Sequence, residues 1–141
     1  MWLKDVKWPA ISPFGPTQRI DMQVLIVEST ADLAALWKRH LERQEMTVAV
    51  AHGSERAVSM IATQPFDVII LDLVLRDGSA LAVADYAQYR QPDTKVIFVT
   101  DTGFFSDGSI FSMTPNARAF VPTLTRPDDL AAMVAHYGRA A

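Results

Sequence analysis

Short apolar runs rich in β-branched residues alternate along this chain with stretches whose apolar residues recur at helical spacing. Residues 22–27 (MQVLIV), 46–51 (MTVAVA), 66–71 (FDVIIL), 95–100 (KVIFVT) and 117–121 (ARAFV) read as strands. Their nearly unbroken apolar character predicts strands buried on both faces. Between the first two, Leu33, Leu36, Trp37, His40 and Leu41 recur every three to four positions, so 31–44 is an amphipathic helix that Ser29 or Thr30 can cap. A second helix opens at Gly53-Ser54, places Ala57, Val58 and Ile61 on one face, and ends at Gln64-Pro65. Residues 72–78 form a loop closed by Asp77-Gly78, 79–90 a third helix, and Gln91-Pro92-Asp93 a turn. Residues 102–116, rich in Gly, Ser and Phe, hold one short helix at most. Thr125 caps a last helix with Pro127 in its first turn and Gly138 past its end.

Strand followed by helix, five times over, predicts an α/β fold. The expected architecture is a (βα)5 doubly wound, five-stranded parallel sheet of flavodoxin-like topology, covered on both faces. Residues 21–141 form this domain. Residues 1–20, with Trp2, Trp8, Pro9, Pro13 and Pro16, have neither period and read as an irregular leader that is disordered, the product of a mis-assigned start, or docked through its tryptophans on the domain or a partner.

Composition narrows the function. The 141 residues suffice for one domain, and half are apolar. The net charge of −3 is spread along the chain, without a basic arm for nucleic acid. There is no cysteine, which excludes disulfides, thiolate zinc sites and cysteine nucleophiles. No apolar run approaches the roughly 20 residues of a membrane span, and 1–19 lack a secretory apolar core. A soluble cytoplasmic protein is expected, with no nucleic-acid and no membrane partner. His40, His52 and His136 lack metal-ligand spacing.

In an open parallel sheet the functional crevice lies beyond the carboxyl ends of the strands. Strand one ends at Glu28-Ser29, strand three at Asp72, strand four at Thr100-Asp101, and strand five near Pro122-Thr123. Glu28 and Asp72 are expected as neighbours. Two carboxylates side by side need a proton or a cation between them. Magnesium favours such oxygen sites, and a carboxylate can attack phosphorus. The plainer alternative is that Asp72 caps its loop and Glu28 is solvated.

Residues 67–80, DVIILDLVLRDGSA, resemble the segment around the phosphorylated aspartate of response-regulator receiver domains. VLIVES resembles the first receiver strand, and KVIFVT the fourth, which ends in a hydroxyl residue. The resemblance runs from Met22 to about residue 139. It implies that Asp72 is the phosphoacceptor. Glu28, Asp72 and the backbone carbonyl of Val74 would hold Mg2+. Thr100 would contact the phosphoryl group, and Phe120 would be an aromatic switch, or else an ordinary core phenylalanine. The implied protein is a receiver and not an enzyme. It would be phosphorylated by a sensor histidine kinase or phosphotransfer protein, and would signal through altered binding to a downstream protein target. The apolar residues Phe104, Phe105, Ile110, Phe111 and Met113 lie where receivers carry their signalling face, suited to a homodimer or partner surface, or to the core. No output domain follows the fifth helix, so a stand-alone receiver is expected.

The departures from the family pattern are local. Ser29 stands where a second acid would ligate the metal, so Mg2+ binding is expected to be weak. Thr123 stands where strand five would supply a lysine, leaving Arg126 or Arg76 to compensate. Asp101 adds a negative charge beside Thr100. Three alternatives follow. A degenerate receiver would bind partners without phosphorylation. A flavodoxin-like flavin binder would use Ser29-Thr30, but EST-AD has no glycine. A haloacid-dehalogenase-like phosphatase would need an acid where Val74 stands.

Overall fold

The computed structural model describes residues 21–101 and 114–139. Seven strands and four helices fall within them: β1 (Gln23–Val27), α1 (Ala31–Glu42), β2 (Thr47–Ala51), α2 (Ser54–Thr63), β3 (Val68–Asp72), β4 (Val74–Leu75), β5 (Gly78–Ser79), α3 (Ala80–Arg90), β6 (Lys95–Thr100), β7 (Ala117–Pro122) and α4 (Pro127–Arg139). The expected leader and the apolar cluster within 102–113 lie outside the described residues.

Five strands form one parallel sheet in the order β2-β1-β3-β6-β7. Alternation along each strand divides the core in two. Leu25, Val27, Ile69, Leu71, Val96 and Phe98 face α2 and α3, where they meet Ala57, Ile61, Val83, Ala84 and Ala87. Val24, Ile26, Val68, Ile70, Ile97 and Val99 face α1 and α4, where they meet Trp37, Leu41, Leu130 and Val134. Both faces are apolar because helices cover both, which is why these strands read as runs rather than as alternating patterns. The (βα)5 expectation holds for the sheet and for the four helices described.

Several local readings are corrected. Residues 72–78 are not all loop. Val74–Leu75 and Gly78–Ser79 pair antiparallel as a small hairpin, with Arg76 and Asp77 in the turn. Thr30 is the N-cap residue of α1, but its side chain makes no capping bond. Thr125 Oγ1 donates to the Pro122 carbonyl instead of capping α4, which begins two residues later. Gly138 lies inside α4, not past its end. A Cβ there would come within 2.5 Å of Met22 Sδ and 3.2 Å of Val68 Cγ2. Close packing of helix on sheet therefore explains this glycine better than a helix stop does. Ser79, by contrast, does cap α3, accepting from Ala82 N at 3.2 Å.

Candidate functional site

The register assembles the crevice. Val27 of β1 pairs with Leu71 of β3, so the next residues on the two strands, Glu28 and Asp72, emerge side by side. Asp72 in turn pairs with Val99 of β6, one residue before Thr100, and Thr100 pairs with Pro122 of β7. Thr123 follows, and its N–H donates to the Thr100 carbonyl at 3.1 Å. Strand ends distant in sequence thus converge because each is the last rung of one continuous ladder.

Glu28 is only 2% exposed, which removes the reading of a solvated side chain. Its Oε2 accepts from Thr30 N at 2.9 Å, whereas Oε1 is buried and accepts from no donor among the described residues. Burial, together with the Asp72 carboxyl close enough to share a proton, raises the Glu28 pKa to about 7. The Thr30 N–H pulls the other way and only partly offsets these effects. His52, at the end of β2, donates from Nδ1 to the Glu28 carbonyl at 3.1 Å and fixes that corner of the chain.

Asp72 is half-buried, and its Oδ1 accepts from Val74 N at 3.0 Å. It therefore does cap the loop, while also standing against Glu28; the two readings of this residue are compatible. Val74, whose carbonyl is the third expected ligand, is 68% exposed at the mouth. Among the described residues no group of three or more His, Asp or Glu side chains is placed to hold a metal. The site instead offers two acids and main-chain oxygen. The buried, unpartnered Oε1 of Glu28 beside a second carboxyl is a defect that a hard divalent cation would repair, so the residues fit Mg2+.

The remaining predicted residues are distributed around this pair. Thr100 is buried at the end of β6. Phe120 is half-buried and stacks on Phe98, with ring centroids 4.9 Å apart and planes 9° from parallel. It packs against the core on the α2–α3 face. Ser29 Oγ accepts from the Arg76 N–H at 3.3 Å, which ties the β1–α1 connection to the hairpin turn. Arg76, Arg126 and Asp101 are exposed.

One residue read only as a turn former has a larger part. The Asp77 carboxylate accepts from Ser54 N at 2.8 Å and from Glu55 N at 3.5 Å, at the start of α2. The Ser54 bond holds its pKa below the usual carboxylate value. Gly53 has no room for a side chain, since a Cβ would lie 2.6 Å from Asp77 Oδ2. Asp77-Gly78 was the visible signal, but the sequence does not show that the turn reaches back to residue 53.

The description "Response regulator receiver domain" belongs to the family model that matches residues 24–135. Over 108 residues the chain is 33% identical to the response regulator protein PilR of Pseudomonas aeruginosa, an alignment covering 77% of this chain and 23% of that protein. The chain spans 21% to 28% of the length of the first three curated relatives it matches. Among solved structures, a CheY-like receiver domain protein from Methanospirillum hungatei superposes with a TM-score of 0.76 at 23% identity, covering 83% of this chain and 93% of that one. The signal receiver domain of a Luxo repressor protein from Vibrio parahaemolyticus gives 0.76 at 27% identity, covering 84% and 91%.

Proposed function

The chain belongs to the response-regulator receiver family, and on that premise we propose that it is a phosphorylation-operated switch with Asp72 as phosphoacceptor. The observation that carries this reading is the buried Glu28 carboxyl, with its unpartnered Oε1, held against Asp72 at the carboxyl end of the central strand. A fold does not keep two acids together in a crevice at no cost, and a site built for a cation and an incoming phosphoryl group accounts for them.

In this reading a carboxylate oxygen of Asp72 attacks the phosphorus of a phosphohistidine. The P–N bond breaks, the imidazole leaves, and an acyl phosphate forms. Glu28, Asp72 and the Val74 carbonyl would hold Mg2+, which supplies charge neutralisation for the transferred group. Glu28 must be ionised for this, and its raised pKa makes binding of the cation compete with a proton. Thr100 would meet the phosphoryl oxygens, and Phe120 would report the change by repacking beside Phe98. A shifted conformational equilibrium then alters affinity for a downstream protein. The phosphodonor would be a sensor histidine kinase or phosphotransfer protein, which places the reaction in the cytoplasm. Among the described residues no helix is long and apolar enough to cross a membrane.

The test is intact-mass analysis after acetyl phosphate and Mg2+. One added phosphoryl group in the wild type and none in Asp72→Asn is the expected result. Equal labelling of both would move the acceptor elsewhere. A second reading, a receiver that binds partners without phosphorylation, draws on Thr123 in place of a cation and on the Ser29 hydroxyl, which is engaged by Arg76 N. No labelling of the wild type would favour it.

A further inference from the structure

We propose that Ser29 is a positioning residue, whose hydroxyl clamps the Arg76–Asp77 turn and thereby sets where the Asp72 carboxylate and the Val74 carbonyl stand. The inference rests on the phosphoacceptor reading of Asp72 and adds a device to it. The chain from Asp72 to Arg76 is short and stiff, because Val74 and Leu75 are paired to Ser79 and Gly78 across the hairpin. Whatever holds the turn therefore holds Val74, two residues back.

The turn has two anchors. Asp77 binds the first N–H groups of α2, and the close approach at Gly53 shows how tightly the hairpin is seated there. That anchor fixes the hairpin to the scaffold. The second anchor, Arg76 N to Ser29 Oγ at 3.3 Å, fixes it to the residue next to Glu28. Ser29 thus spans the two sides of the candidate cation site, Glu28 on one and Val74 on the other. A neutral hydroxyl can do this where an acid would add a third carboxyl beside Glu28 and Asp72. The departure at position 29 exchanges a charged ligand for a fixed distance.

Three measurements on the full chain test the clamp, using Ser29→Ala, Ser29→Thr and Asp72→Asn. With neither metal nor phosphodonor, the Arg76 amide of Ser29→Ala should exchange about 3- to 10-fold faster, the worth of one hydrogen bond. Beryllofluoride with Mg2+, titrated by amide shifts, should bind more weakly by about the same factor, while the thermal midpoint falls by only a few degrees. Ser29→Thr should restore both. Unchanged exchange at Arg76 overturns the clamp. Faster exchange with unchanged beryllofluoride affinity overturns the positioning role. Beryllofluoride binding by Asp72→Asn equal to wild type, or none by the wild type, marks instead a failure of the phosphoacceptor reading, and the positioning role falls with it.

Discussion

At the scale of single residues, the chemistry turns on how one carboxyl is kept. Glu28 ionises near pH 7 in the fold, against an ordinary value of 4.5. Its folded-state pKa is raised, so the folded protein retains a proton that the unfolded chain has lost between those two values. Stability should therefore fall as pH rises from about 4.5 to 7 in the absence of divalent cation. Urea midpoints across this range should show the decline, and Glu28→Gln should remove it. Mg2+ should cancel the decline, because it takes the place of the proton. Apparent Mg2+ affinity should climb by up to about tenfold per pH unit and level off once Glu28 is ionised; an affinity flat across this range would mean that Glu28 is not a ligand. Thr123 poses the opposite problem, a missing charge. Phosphorylation turns the single negative charge of Asp72 into about two, in a crevice that also holds Glu28. Thr123→Lys should enlarge the amide shift changes of β6 and β7 on beryllofluoride addition. A full response in the wild type, not increased by the lysine, would show that another side chain such as Arg76 or Arg126 supplies the charge.

At the scale of elements, the β4–β5 hairpin and the start of α2 form a locked pair. Gly53 is in extended backbone, with φ −157°, so it is there for space and not for conformation. Gly53→Ala would drive a methyl group into the Asp77 carboxyl and break its bond to Ser54 N. Losing such a helix-terminal bond should cost about 1 kcal/mol, read as a lower urea midpoint at unchanged slope. In an Asp77→Ala background the same substitution should cost clearly less, since the clash and the bond are both gone. Equal costs in the two backgrounds would show that the contact is unimportant. The element boundaries legible in the sequence were those signalled by period, as for β6 at Lys95–Thr100, whereas the side-chain caps expected at Thr30 and Thr125 do not form. The hairpin was not legible, because two-residue strands carry no period and owe their existence to docking on residues more than twenty positions away.

At the scale of the whole molecule, two apolar layers flank one sheet, and each is closed by a pair of helices. Trp37 on α1 is 2% exposed and is the largest side chain of its layer. Trp37→Ala should cost about 3–5 kcal/mol and lower the thermal midpoint by roughly 10–20 °C. Far-ultraviolet circular dichroism reads this without the lost indole. A loss below about 1 kcal/mol would mean that the layer collapses to fill the cavity. The order of the five strands of the main sheet, their parallel arrangement and the strand-end addresses of Glu28, Asp72 and Thr100 were all legible in the sequence. They depend on periodicity and chain order, which are local properties written in consecutive residues. Only the tertiary structure decided that Glu28 is buried with one oxygen unpartnered, that Ser29 reaches Arg76, that Asp77 seats on α2, and that Gly138 is a packing residue. Each of these is a contact between segments that sequence does not place together. Burial and contact distance are properties of the assembled layers, so no reading of one segment at a time contains them.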